Sequence, residues 1–252
     1  MKMHALSGGR VRMRRSVYVP DAERSETIEL PVSCFLLRHA QGNVLFDTGC
    51  HPSAAEDPVG RWGGMAKIMT PIMPPGENVL TGLAAIGFSA DDVDVVVCSH
   101  LHPDHCGCNA FFPRATVIVH EKEVAAARAP NAEPMGYLAA EWDFGAFDLL
   151  NGQRDVFGDG RIVLLPLPGH TPGSTGALVQ LERDGTFLLA ADTVSLRVTL
   201  DSGVLPRNIQ SADALMKSLA EIRAIEARGA TVLCGHDAAQ WDTLRKGADF
   251  YD

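Results

Sequence analysis

The sequence predicts a mixed α/β fold in which strands and helices alternate and pack as a sandwich. Three observations carry that expectation. Short apolar runs, among them CFLLRH, NVLFDT, VDVVVCS, RIVLLPL, TFLLAAD and TVLCGHD, recur along the whole chain and read as buried strands. Stretches with the three-and-four spacing of helices lie between them. Several of the runs end at an Asp or His in a turn-rich segment, which is where α/β proteins gather their chemistry. At 252 residues, 46% hydrophobic and 21% charged, the chain has material for a sizeable core. No repeat, low-complexity tract or linker divides it, so residues 1–252 are expected to form one domain.

Taken in order, residues 2–6 and 10–15 read as two strands joined at Ser7-Gly8-Gly9, a hairpin signal. In the second of these, Arg10, Arg12 and Arg14 alternate with Val11 and Met13, which places the arginines on one solvated face. CFLLRH and NVLFDT form an antiparallel pair across His39 to Gly42, with Asp47 at its end. From Cys50 to Gly76 the pattern is least regular, although Met65, Ile68 and Met69 have helical spacing before Pro71 interrupts it. Residues 78–88 read as a short helix feeding the strand VDVVVCS. Ala115 to His120 is a further strand, and the alanine-rich Glu121 to Ala129 a helix ended by Pro130. Residues 130–160 read as irregular, with Trp142, Phe144 and Phe147 as packing anchors. Ser211 is an N-cap, and Leu215, Leu219, Ile222 and Ile225 fall on one core-facing stripe of the helix that follows.

The densest chemistry lies in SHLHPDHCGCN, residues 99–109, where His100, His102, Asp104 and His105 crowd four metal-ligating side chains together. Imidazole nitrogen and carboxylate oxygen are the donors that hold Zn²⁺ and its first-row neighbours. At this spacing two ions use the four groups better than one. His100 and His102 turn to the first, and Asp104 and His105, beyond the bend at Pro103, turn to the second. Three later segments each add one donor at a strand end: His170 in PLPGHTPGS, Asp192 in TFLLAADTVS and His236 in TVLCGHD.

The net charge of −9 argues against a nucleic-acid partner, because phosphate binding needs clustered cations. No apolar run is long enough for a bilayer and the N-terminus has no apolar signal core, so no membrane partner and a cytoplasmic location are expected. The six cysteines are expected to be reduced thiols, with Cys106 and Cys108 small buried side chains rather than ligands.

With these residues in place the chain resembles the metallo-β-lactamase-fold hydrolases, in particular the N-acyl-homoserine lactone lactonases and relatives such as pyridoxolactonase. The runs LPVSCFLL, NVLFDTG, SHLHPDH, LPGHTPGS and CGHD occur in that family's order over nearly the whole length. The resemblance implies a four-layer αββα sandwich and two divalent metal ions, zinc foremost. It implies His100, His102 and His170 on one ion, Asp104, His105 and His236 on the other, and Asp192 bridging. Asp47 is then expected to fix the metal loop through hydrogen bonds. The implied reaction is opening of a lactone ring, as in quorum quenching. A metal-bridging hydroxide attacks the carbonyl, and Asp104 passes a proton to the departing alkoxide.

One position departs from the family. Ser195 stands where such lactonases carry a tyrosine that hydrogen-bonds the substrate carbonyl. It is a candidate substrate contact acting through a water, with Tyr137 as another hydroxyl within the irregular segment, and a strand-end hydroxyl without a role as the plain alternative. Met65 and Met69 are candidate contacts for an acyl tail, because unbranched polarizable side chains adapt to a flexible chain. Ordinary packing and a homodimer contact compete for the same segment. Other functions compatible with the seven ligands are hydrolysis of another lactone or ester and glyoxalase II-like thioester hydrolysis. A silent metal-binding protein would be expected to have lost ligands, and all seven are present.

Overall fold

The computed structural model describes residues 1–252. Its first sheet has seven strands: β1 (Lys2–Arg14), β2 (Thr27–His39), β3 (Gly42–Phe46), β4 (Thr70–Ile72), β5 (Val95–Val97), β6 (Thr116–His120) and β7 (Asp148–Leu150), in the order β4-β1-β2-β3-β5-β6-β7. The second has five: β8 (Arg154–Asp155), β9 (Ile162–Pro166), β10 (Thr175–Gln180), β11 (Thr186–Leu189) and β12 (Thr231–Leu233), in the order β12-β11-β10-β9-β8. Strands β3, β5, β6 and β7 run parallel, as do β11 and β12.

Side-chain alternation along the strands builds the layers. Phe35 and Leu37 of β2 point between the sheets, where they join Phe46, Val97 and Ile118 and meet Leu164, Val179, Leu189 and Leu233 of the second sheet. Their neighbours Cys34 and Leu36 point the other way, against Val79 and Leu83 of the helix Val79–Ala85. Behind the second sheet, Leu215, Leu219, Ile222 and Ile225 of the helix Ala212–Ala227 pack on Leu165, Leu188 and Val232. The result is helix, sheet, sheet, helix. Both faces of each sheet are covered, which is why the strands read as nearly unbroken apolar runs. The Ser211 side chain caps the long helix by accepting the Ala214 N–H at 3.2 Å.

Three local expectations are corrected. The hairpin expected at Ser7-Gly8-Gly9 does not form: β1 is one strand that pairs with β2 on both sides of that point, with a register shift between Ser7 and Arg10. Gly9 takes φ 103°, and a Cβ on Gly8 would lie 2.7 Å from the Gly49 Cα, so the glycines serve a bulge pressed against the loop after β3. The irregular stretch 130–160 contributes β7 and β8, too short and too polar to show a period. Within it Trp142 is buried and Phe147 packs beside it, but Phe144 is 49% exposed. Finally, Met65, Ile68 and Met69 are not on one α-helical face. A 3₁₀ turn spans Gly63–Lys67, and Pro71 lies in β4, an edge strand, where its missing N–H is tolerated.

Candidate metal centre

The potential ligands come from the carboxyl ends of β5, β9, β11 and β12. Beyond β5 the chain bends at Ser99 and reaches His102 in an extended conformation, because Pro103 disfavours helical backbone in the residue before it. Pro103 then opens the single turn Pro103–Cys106, which carries Asp104 and His105. The switch into the turn therefore splits the cluster into a pair ahead of it and a pair within it. His170 follows β9, Asp192 sits in the 3₁₀ turn Ala191–Val194 after β11, and His236 follows β12. All seven are buried except His102, which is partly exposed.

Accounting for the ring protons shows what this cluster lacks. His102 Nε2 donates to the Met135 carbonyl at 3.0 Å and His170 Nδ1 to the Asn208 carbonyl at 2.7 Å. The remaining nitrogens, His102 Nδ1 and His170 Nε2, are bare and face each other at 3.0 Å. Likewise His105 Nδ1 donates to Asp47 Oδ2 and His236 Nδ1 to the Pro31 carbonyl, both at 2.8 Å, so in the neutral rings the Nε2 atoms are bare and face each other at 3.2 Å. Ser99 Oγ donates to Asp47 Oδ2 at 2.7 Å and so accepts from His100 Nδ1 at 3.0 Å. That leaves His100 Nε2 buried without a partner, as is Asp192 Oδ1 by hydrogen-bond geometry. Facing lone pairs repel unless a cation lies between them, and an unpaired buried polar atom costs about 1–3 kcal/mol.

The distances match such cations. Two nitrogens on one tetrahedral zinc, each about 2.0–2.1 Å from it, are roughly 3.3 Å apart. Asp104 Oδ2 lies 3.6 Å from both His105 Nε2 and His236 Nε2. Asp192 offers Oδ1 to His236 Nε2 at 2.9 Å and to His105 Nε2 at 3.4 Å, and Oδ2 to His170 Nε2 at 3.6 Å, so it spans the two halves. The donors group as His100, His102 and His170, as His100, His105 and Asp192, and as Asp104, His105 and His236. This donor set fits two ions better than one.

The halves differ electrically. Burial holds His100 and His102 below the ordinary imidazole value and takes His170 down to about 4. Burial also opposes charge on His105 and His236, but carboxylates overcome it: Asp104, Asp47 and Asp192 raise His105, and Asp192 chiefly raises His236. Asp47 organises this region, accepting the Ser99 N–H and hydroxyl at 2.7 Å each besides the His105 ring. It does so from a left-handed backbone, φ 59°, and Ala191 beside Asp192 is left-handed too at φ 44°. Such strain in non-glycine residues concentrates at functional sites.

Above the donors opens a cavity of about 280 Å³, lined by His102, Asp104, His170 and Asp192 at its floor and by Met65, Ile68 and Met69 on one wall. Met135 and Gly136 line it beside His102, and Arg207 is the one cationic side chain. Ser195 lies outside this lining: it is buried, and its Oγ donates to the Asp192 carbonyl at 3.4 Å. Tyr137 is buried behind His102, ring centroids 5.2 Å apart, and accepts from Gln210 Nε2 at 3.4 Å. The hydroxyl on the lining belongs instead to Tyr18, which donates to the Met13 sulfur at 3.1 Å. Tyr18 and Arg207 escaped the sequence reading because each stands alone in a segment without a motif.

Comparison with known proteins agrees with this geometry. Residues 27–236 match the metallo-beta-lactamase superfamily. The N-acyl homoserine lactonase AttM of Azorhizobium caulinodans is 31% identical over 260 residues, covering 100% of this chain and 99% of that protein. The N-acyl homoserine lactonase AiiB of Agrobacterium fabrum is 33% identical over 249 residues, covering 90% of this chain and 87% of that protein. A solved N-acyl homoserine lactone hydrolase with the product N-hexanoyl-L-homoserine at its catalytic metal centre shares the fold, with TM-score 0.89 at 24% identity over 99% of this chain and 98% of that one. The chain belongs to the metallo-beta-lactamase superfamily.

Proposed function

From that membership and the donor geometry, we propose that the chain hydrolyses the ring ester of N-acyl homoserine lactones, which would make it a quorum-quenching lactonase. The observation that carries the reading is the set of facing, proton-free imidazole nitrogens beneath an apolar-walled cavity. Two divalent ions, zinc foremost, would be held by His100, His102 and His170 on one side and by Asp104, His105 and His236 on the other, with Asp192 shared. When bound, such a pair supplies Lewis acidity, makes water nucleophilic near neutral pH and stabilises negative charge on the carbonyl oxygen.

The remaining work falls to the chain's own side chains. Asp104 lines the cavity floor and carries the proton to the departing ring alkoxide. Tyr18, whose hydroxyl meets only a weak sulfur acceptor, offers that hydroxyl to the substrate. Met65, Ile68 and Met69 receive the acyl chain, a better use of this wall than a homodimer contact because all three face the cavity. The volume is at the low end for small-ligand pockets, so the distal chain lies along the open rim where Ile68 is 62% exposed. No helix is long and apolar enough to cross a membrane, and with six unpaired cysteines we place the protein in the cytoplasm.

The test is a substrate panel assayed by base uptake on zinc-loaded protein. Ring opening yields a carboxylate and releases one proton near neutral pH. Turnover of acyl-homoserine lactones well above that of simple esters and S-lactoylglutathione is expected. Faster turnover of the glutathione thioester would overturn the assignment, and Arg207 as the sole cation on the lining speaks against that multiply charged substrate.

A further inference from the structure

We infer that Glu123 is the positioning residue of the three-histidine half of the site. It stands in the first turn of the helix Glu121–Ala127, directly after β6, and is 0% exposed. Its Oε1 accepts the Leu101 N–H and its Oε2 the Gly173 N–H, both at 3.0 Å. Burial pushes its carboxyl above the ordinary value and the two backbone donors work against that, since burying a carboxylate costs several kcal/mol unless donors replace its water.

The location of those donors gives the group its meaning. Leu101 lies between His100 and His102, and Gly173 lies in the loop that carries His170. One side chain therefore ties together the two loops that bear all three imidazoles of this half, one loop from each sheet. The contact is close by construction: a Cβ on Gly173 would fall 2.4 Å from the Glu123 backbone nitrogen, so only glycine lets the loop reach the carboxylate. Asp47 holds His105 of the other half directly and, through Ser99, reaches His100 as well. Glu123 is thus the carboxylate that joins the His100–His102 loop to the His170 loop, Asp47 the one that joins His105 to His100, and neither lies on the cavity lining.

This inference rests on the metal assignment made above, and its test separates the two. Metal-free protein is titrated with zinc while the ring nitrogen resonances of His100, His102 and His170 are followed apart from those of His105 and His236. Wild type is expected to fill both halves. In Glu123→Gln one acceptor becomes an N–H donor aimed at a backbone N–H, so affinity at the three-histidine half falls about 10- to 100-fold while the other half is unchanged. Glu123→Asp, which keeps the charge but shortens the reach to the Leu101 and Gly173 N–H groups, is expected to weaken the same half by less and serves if Glu123→Gln does not fold. Equal losses in both halves, or none in either, overturn the positioning role. Wild type that binds no zinc at these histidines would instead overturn the metal assignment itself.

Discussion

The floor and the walls of the cavity are made differently. Every floor donor hangs from the end of a strand in one of two packed sheets, and each histidine has its second nitrogen fixed by a carbonyl, a carboxylate or a serine hydroxyl. The walls come from the 3₁₀ turn at Gly63–Lys67 with Ile68 and Met69 after it, a second short turn at Glu133–Met135 and the loop of residues 207–210. Ile68 and Met135 on those walls are largely exposed. The contrast teaches that reactive geometry is anchored in the core, where shifting one group disturbs several hydrogen bonds. The walls touch the floor through backbone, the Met135 carbonyl on His102 and the Asn208 carbonyl on His170, so their side chains can change at less cost to the floor than their backbone can.

Breaking the floor should have the largest effect. Asp192→Asn removes the charge shared between the halves, and zinc-loaded activity is expected to fall by more than about 100-fold, beyond the range for outer partners of ligands. Steady-state kinetics together with zinc content checks this, and a variant with two ions and near-normal turnover would deny Asp192 its bridging role.

Acid should then separate the two halves. A proton competes with an ion for the same nitrogen, so the histidines raised by neighbouring carboxylates, His105 and His236, are protonated at higher pH than those lowered by burial. As pH falls from about 7 towards the value of about 4 for His170, one ion is expected to leave before the other, the His105 and His236 half emptying first. Zinc per chain measured after equilibration across that interval should pass through one. Simultaneous loss of both ions would erase the electrical difference between the halves.

A change to the wall should act on substrate choice rather than chemistry. Met69→Glu places a charge among Met65, Trp62 and Tyr18, and KM for long-chain lactones is expected to rise about tenfold, a loss of about 1.4 kcal/mol, with a smaller change for short chains. Equal effects on both chain lengths would remove Met69 from the acyl wall. Smallest of all, Ser195→Ala deletes a long hydrogen bond to a backbone carbonyl outside the cavity, worth at most about 1 kcal/mol of stability, and kcat/KM is expected to stay within about twofold. A loss of tenfold or more would return Ser195 to the substrate.

The same contrast explains what could be read from the sequence. Strands β2, β3, β5, β9, β11 and β12 are covered on both faces and announce themselves as apolar runs, and the donors they deliver stand in dense or turn-flanked motifs. The long helix Ala212–Ala227 showed both its cap and its stripe. Elements whose form depends on distant partners stayed hidden. β1 continues through Gly8 and Gly9 because the loop after β3 presses on it, and β7 exists because β6 offers an edge. Met65 and Met69 were legible as apolar residues needing a role, but not the 3₁₀ turn that presents them. Glu123 and Tyr18 carry no local signal, since what each does depends on residues far away in the chain.

The most direct test of the central claim is to strip the protein of metal and restore zinc in known equivalents while lactone opening is recorded. Two proton-free nitrogen pairs spanned by Asp192 predict that activity reaches its plateau at two equivalents per chain. Full activity at one equivalent, or with none, would contradict it.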